Sequence, residues 1–318
     1  GSWGNNVNAY GNWTAAGGVA GLDSILSAND TTTFGNATSA PTTVSLNGAN
    51  PTLRAITFDH TQAYTLAQGT GDGQITLNGS AASITDASGS HTIAAPLALA
   101  SNAEVAVTHA ADTLTVAGAV SGTGNGLTKS GEGTLALTGH SGYTGATLAS
   151  AGTLLVNGSL GATATTIASG ATLAGTGTLG GGVTVNGAIA PGEINSIGTI
   201  GVDSLYLAHT LLIEWNGDTD AIDRVNITHQ LQLGESATIA FTGMAGHLTQ
   251  AAYVFATYES LTGPVTRFNT ITDLPTGYAI DYTYGTQSNQ LALVAIPETR
   301  AALLGGLGVL LLLKRRRQ

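Results

Sequence analysis

The sequence predicts an all-β chain whose centre is a parallel β-solenoid with coils of about twenty residues. Two observations carry this. A Gly-Thr-Leu-like beat recurs at Gly133-Thr134-Leu135, Gly152-Thr153-Leu154 and Ala171-Thr172-Leu173, with the leucines 19 and 19 residues apart. Short alternating runs also close on glycine or Asn-Gly, as in Leu155-Val156-Asn157-Gly158 and Val183-Thr184-Val185-Asn186-Gly187. Alternation marks strands with one buried face, and glycine supplies the positive φ of sharp corners. An antiparallel sandwich also accommodates short strands and Gly-rich turns. The fixed period favours the solenoid, because every coil must set the same residue on the same wall.

The beat extends upstream, where Leu114-Thr115-Val116-Ala117-Gly118 matches Leu135-Ala136-Leu137-Thr138-Gly139 at a shift of 21. Coils stack about 4.8 Å apart, so residues 45–200 predict about eight coils and a rod of roughly 37 Å. Leucine and valine are expected inside and threonine outside. Residues 1–44 are expected to form an N-terminal β or cap segment. Residues 201–295 read as a wider C-terminal β module with longer, more aromatic strands, such as Tyr253 to Tyr258 and Tyr278 to Tyr284. Its turns, Asn216-Gly217 and Pro275-Thr276-Gly277, are hairpin-like. Such a module would cover the open end of the solenoid, whose last coil is otherwise an edge for pairing.

Composition narrows the function classes. Only 9% of the 318 residues are charged, 45 are glycine and none is cysteine. Disulfides, thiolate metal sites and thiol nucleophiles are therefore excluded. Five of the nine basic residues, Arg300, Lys314, Arg315, Arg316 and Arg317, fall in the last nineteen positions. The body keeps Arg54, Lys129, Arg224 and Arg267 against nineteen acids, a formal charge near −15. A body so acidic repels phosphate backbones, so no nucleic-acid partner is expected.

Residues 296–318 form a separate tail. Pro297-Glu298-Thr299 and Arg300 precede an uncharged run from Ala301 to Leu313, and Lys314, Arg315, Arg316 and Arg317 follow. Thirteen apolar residues as a short hydrophobic helix reach about 20 Å, against a bilayer core of about 30 Å. Gly305, Gly306 and Gly308 weaken that helix further. The basic end would remain cytoplasmic. A buried C-terminal helix has no use for that basic cluster, so transient membrane insertion is the better reading. At these residues the chain resembles the PEP-CTERM sorting signal of Gram-negative bacteria, with Thr299 where the motif's second proline would stand. The resemblance implies sorting and cleavage by an exosortase-type enzyme. Gly1 in place of Met fits a leader removed on export.

The central repeat also carries a resemblance. Gly126-Leu127-Thr128-Lys129-Ser130-Gly131-Glu132-Gly133-Thr134-Leu135, then Tyr143-Thr144-Gly145 and Ser150-Ala151-Gly152-Thr153-Leu154, resemble the autotransporter-associated β-strand repeat. That implies a right-handed parallel β-helix of the passenger type.

Motifs of catalysis are sparse. Gly175-Thr176-Gly177-Thr178-Leu179-Gly180 satisfies G-x-G-x-x-G, but Gly181-Gly182-Val183-Thr184-Val185 follows instead of the helix that would hold a pyrophosphate. Gly139-His140-Ser141-Gly142 lacks the spacing of a nucleophile elbow and reads as a coil corner. The seven histidines are expected at exposed turns. Asp218, Asp220 and Asp223 form the one dense acidic group and could bind Ca²⁺ weakly, although a solvated turn is the simpler reading. A hydrolase would need two carboxylates about 5 to 9 Å apart.

No cofactor and no catalytic residue are expected. The sequence predicts an exported structural protein of the cell surface or extracellular matrix of a Gram-negative-type bacterium, self-associating into fibres by coil stacking. An adhesin for polysaccharide or neighbouring cells is the alternative, and a glycan-active enzyme ranks last.

Overall fold

The computed structural model describes residues 30–297, except 36–38, 194 and 288. The described residues contain no helix and form a parallel β-solenoid. Three columns of stacked strands build its walls. One coil shows the plan: Leu127–Ser130 lies in the first wall, Thr134–Leu137 in the second and His140–Ser141 in the third. The next coil repeats it with Thr147–Ala149, Gly152–Val156 and Ser159–Leu160, each paired in parallel with its counterpart. The first and third walls merge where Thr178–Val185 and Thr199–Leu207 run through both, the former with a bulge between Leu179 and Gly182.

Register explains the repeat. In the second wall Leu114, Leu135, Leu154, Leu173, Ile189, Leu211 and Ile239 are successive partners, all buried. Each buried leucine contributes about 1.5–3 kcal/mol, and a straight stack repeats that gain at every rung. Thr113, Thr134, Thr153 and Thr172 pair one step away on the outer face. Threonine suits this position, being β-branched and half-solvated. The second wall holds eight strands from Thr42–Ser45 to Ala188–Pro191, matching the eight coils expected over residues 45–200.

Coil stacking extends beyond those bounds. It starts at Thr31–Phe34, inside the expected cap segment, and crosses residue 201, where a different module was expected. It reaches Ser260–Thr262 in the first wall and Thr270–Thr272 in the second. The reason is coil length. Successive inward residues Leu211, Ile239 and Ile271 are 28 and 32 apart, so the twenty-residue beat disappears while the register persists. Among the described residues, antiparallel pairing between strands occurs in two places, beside isolated antiparallel bridges at Gly175–Gly192, Glu193–Ser196 and Leu233–Val265. Ala221–Ile222 folds back on Trp215 and Asn216, as the Asn216-Gly217 turn predicts. Gln290–Ala295 joins Ala252–Thr257 to Tyr278–Tyr284 and closes the third wall. The expected C-terminal hydrophobic helix lies outside the described residues.

Corners are tied by side chains as well as by glycine. Asn47 Oδ1 accepts the Thr70 N–H at 3.1 Å, Asn102 Oδ1 the Gly126 N–H at 2.8 Å, and Asn157 Oδ1 the Thr176 N–H at 3.0 Å. Each bond joins one coil to the next, where strand ladders are interrupted and backbone donors need other partners.

Candidate functional site

The acidic run follows the long strand Thr210–Asn216, where the chain turns back on itself. It does not build one site. Asp223 is fully buried; its Oδ1 accepts the Gly198 N–H at 2.8 Å and its Oδ2 the Glu214 N–H at 2.8 Å. Burial pushes its carboxyl up to about 7, while the two N–H donors pull the other way. Asp220 has a φ of 55° and faces a different segment. It accepts the Tyr253 hydroxyl, the Thr249 N–H at 3.1 Å and the Thr249 hydroxyl at 2.9 Å. These donors, Tyr253 first, hold its carboxyl down to about 2. Asp218 is exposed, and its N–H donates to Asn216 Oδ1 at 2.9 Å.

Asp220 and Asp223 thus turn to different segments and do not present a shared set of oxygens. Among the described residues no group of three or more His, Asp or Glu side chains could hold a metal ion. The weak Ca²⁺ candidate at Asp218, Asp220 and Asp223 is thereby replaced by two unrelated backbone ties and a solvated turn.

The other motifs resolve as coil geometry. Gly175 and Gly177 sit at the corner before Thr178–Val185, so strand and not helix follows the G-x-G-x-x-G stretch. Ser141 is 1% exposed and lies between Val120 and Leu160 in the third wall. His140 faces outward, with Nδ1 2.5 Å from the Ser159 hydroxyl. The two side chains occupy opposite faces and form no nucleophile–base pair. Of the sorting residues, Pro297 is exposed; Glu298, Thr299, Ala301 to Leu313, and Lys314, Arg315, Arg316 and Arg317 lie outside the described residues.

Two histidines depart from the expected exposed turns. His60 and His91 are buried. His91 opens the strand His91–Ile93 and pairs with Leu114, so it occupies the inward column that leucines fill further on. Its ring stacks on Phe58 at 4.7 Å, and Phe58 stacks on Phe34 at 5.1 Å. The signal was present in the sequence, since His91-Thr92-Ile93 alternates like Leu114-Thr115-Val116.

Two further buried ionisable residues escaped sequence reasoning. Lys129 replaces an aliphatic side chain in the first wall, between its partners Val105 and Ala149. It is fully buried, and its Nζ donates to the carbonyls of Ser130 at 2.8 Å, Gly131 at 2.8 Å and Ala151 at 3.2 Å. Burial pushes its amine down to about 8, against a smaller opposing pull from Glu132. Asp86 is likewise fully buried, and neither carboxyl oxygen has a hydrogen-bond partner. These groups are internal to the coils, and none of them faces solvent as a catalytic centre would.

No curated protein matches the chain. Residues 127–156 match the family model described as the passenger-associated transport repeat. That stretch spans Leu127–Ser130 to Gly152–Val156, and the centre of the solenoid is therefore built from a segment similar to a passenger repeat.

Proposed function

We propose that the protein is an exported structural element of the cell surface or extracellular matrix, a passenger-type solenoid held outside a Gram-negative-type cell. The observation that carries this reading is the passenger repeat at residues 127–156, set in a solenoid where buried Asp223 and Lys129 tie one coil to the next. The reading is non-enzymatic: His140 and Ser141 sit back to back, and the acidic run divides between separate partners. The tail from Pro297 onward acts as the sorting signal, inserting transiently in the membrane and passing to an exosortase-type enzyme.

Self-association through the end of the solenoid belongs to the same proposal. Among the described residues, Ser260–Thr262 and Thr270–Thr272 each pair on one side only, with Gln230–Leu233 and Thr238–Ala245. The inward column of the second wall ends at Ile271, which is 42% exposed where its partner Ile239 is buried. An open parallel edge with apolar residues behind it favours another β-edge as its neighbour. An adhesin reading draws on the outer threonine column of the second wall, Thr113 to Thr172, a flat hydroxyl surface suited to a polysaccharide.

The experiment is mass spectrometry of the native C-terminus together with electron microscopy of the exported material. Cleavage after Pro297 and extended assemblies are expected. An intact Gln318 terminus on dispersed cytoplasmic monomers would overturn the proposal.

A further inference from the structure

Asp86 stands where the first wall turns toward the second, between Ala82–Ser88 and His91–Ile93. In register it follows Phe34 and Phe58 and precedes Val107, so its rung lies in an otherwise apolar column. A carboxylate there has no donor to replace its lost water, whereas buried Asp223 has two N–H groups. An unpaired buried charge is among the costliest features a fold can carry, and the group neutralises instead.

The groups facing this corner offer no relief. His91 Nε2 is 3.8 Å from Asp86 Oδ1. The Tyr64 N–H donates to His91 Nδ1 at 3.0 Å, which leaves the ring proton on Nε2, where it is shared with the Ser88 carbonyl at 2.9 Å. Charging that ring would put a proton on Nδ1 against the Tyr64 N–H, so His91 cannot serve as a counter-ion without breaking a tie between coils. Burial also lowers the His91 ring pKa, in keeping with a neutral imidazole. From the following coil Asp112 accepts the Gly89 N–H at 2.9 Å and lies 3.2 Å from His109 Nδ1, adding a charge of the same sign as ionised Asp86. From the preceding coil come His60 and Asp59, the latter accepting the Ser88 hydroxyl at 3.2 Å.

We propose that Asp86 is a proton-held latch: the closed corner keeps its carboxyl neutral, and loss of that proton to solvent loosens the coil between Ala82–Ser88 and His91–Ile93. Burial first, and the charge of Asp112 second, push the carboxyl up to about 7. A raised folded value means the contribution of Asp86 to stability is complete below about 4 and is lost as pH rises through about 7. The contribution of His91, with its lowered folded value, is lost only as pH falls, below the ordinary range near 6.5. Above neutrality Asp86 is therefore the group of this pair that changes charge. The latch is independent of the surface-structure reading and stands or fails without it.

The test is amide hydrogen exchange of the full chain, read over residues 82–93 and corrected for intrinsic rates. Between about pH 5.5 and about pH 8.5 local opening is expected to rise roughly 30-fold. Asp86→Asn should abolish that rise. Equal protection at both pH values, or a rise that persists in Asp86→Asn, would overturn the latch. Should that variant fail to fold, the wild-type carboxyl can be followed directly by carbon NMR. A midpoint near 7 supports the proposal, and a midpoint near the ordinary value of about 4 refutes it.

Discussion

The carbonyl oxygen of Gly139 lies 2.0 Å from where a Cβ on Gly158 would stand. The contact is one rung of a column: a Cβ on Gly177 would meet Gly158 O at 2.2 Å, and one on Gly139 would meet Gly118 O at 2.7 Å. Here the walls meet at an angle that brings successive backbones together, and only hydrogen fits between them. Gly158→Ala must push backbone away from backbone, at a cost of about 1–3 kcal/mol or more. Gly182 is the control, because a Cβ there meets nothing within 4 Å. Gly182→Ala is expected to leave stability unchanged or raise it by a few tenths to about 1 kcal/mol through the unfolded chain. Urea unfolding of both variants tests the pair, and equal midpoints would contradict this account of the corner.

Asp223 is predicted to be a tie and not a ligand. Asp223→Ala strips the acceptor from two partly buried N–H groups, those of Gly198 and Glu214, and should cost about 2–5 kcal/mol. Asp223→Asn retains one acceptor oxygen and should recover part of the loss. Thermal unfolding with and without millimolar Ca²⁺ separates the two roles: a tie gives variants weakened equally in both, whereas a site gives a wild-type protein that calcium stabilises.

How much of this was legible follows from which residues set the period. Leu135, Leu154 and Leu173 recur at 19 because their coils turn on minimal glycine corners, and that stretch disclosed the solenoid. Ile239 and Ile271 occupy the same column, but the longer corners between them erase the period, so residues after 201 read as another module. Lys129 and Asp86 were hidden for a different reason. Leu127-Thr128-Lys129-Ser130 and Ile84-Thr85-Asp86 alternate correctly, and the alternation assigns both charged side chains to the inside, against the usual rule that such groups face water. Partners decide such cases. The carbonyls that cage the Lys129 amine come from its own turn, at Ser130 and Gly131, and from the next coil, at Ala151, and no spacing in the sequence announces the last. The acidic run misled in the opposite sense: Asp220 and Asp223 are three apart in sequence yet serve Tyr253 and Gly198.

Lys129 yields a prediction with a definite pH sign. Its folded value near 8 lies below the ordinary 10.5, so the unfolded chain binds the extra proton between those limits. Its contribution to stability is therefore present above about 10.5 and is lost as pH falls through about 8. Lys129→Met removes the ionisation together with the donors to Ser130, Gly131 and Ala151. At neutral pH the variant should be less stable by about 1–3 kcal/mol, because the carbonyls lose a charged donor. Between pH 8 and about 10 the wild type should gain on the variant. Chemical denaturation across that range measures the gap, and a constant difference would show that the amine titrates as in the unfolded chain.

End-to-end association makes Ile271 its most exposed test. In a lone molecule the side chain is 42% exposed, so Ile271→Asp should cost about 1–2 kcal/mol of folding stability, from strand propensity and partial burial. In an assembly the same side chain would extend the buried column of Leu211 and Ile239 into a second molecule, and a carboxylate there would be buried without a partner. The variant is therefore expected to fold, with only that modest loss of stability, yet fail to form long assemblies in sedimentation or electron microscopy. Glu259→Gln, at the exposed start of the last first-wall strand, changes charge at the same end without entering the inward column. If both variants assemble like the wild type, association does not run through the open coil. If Ile271→Asp alone is monomeric, the end of the column is the contact.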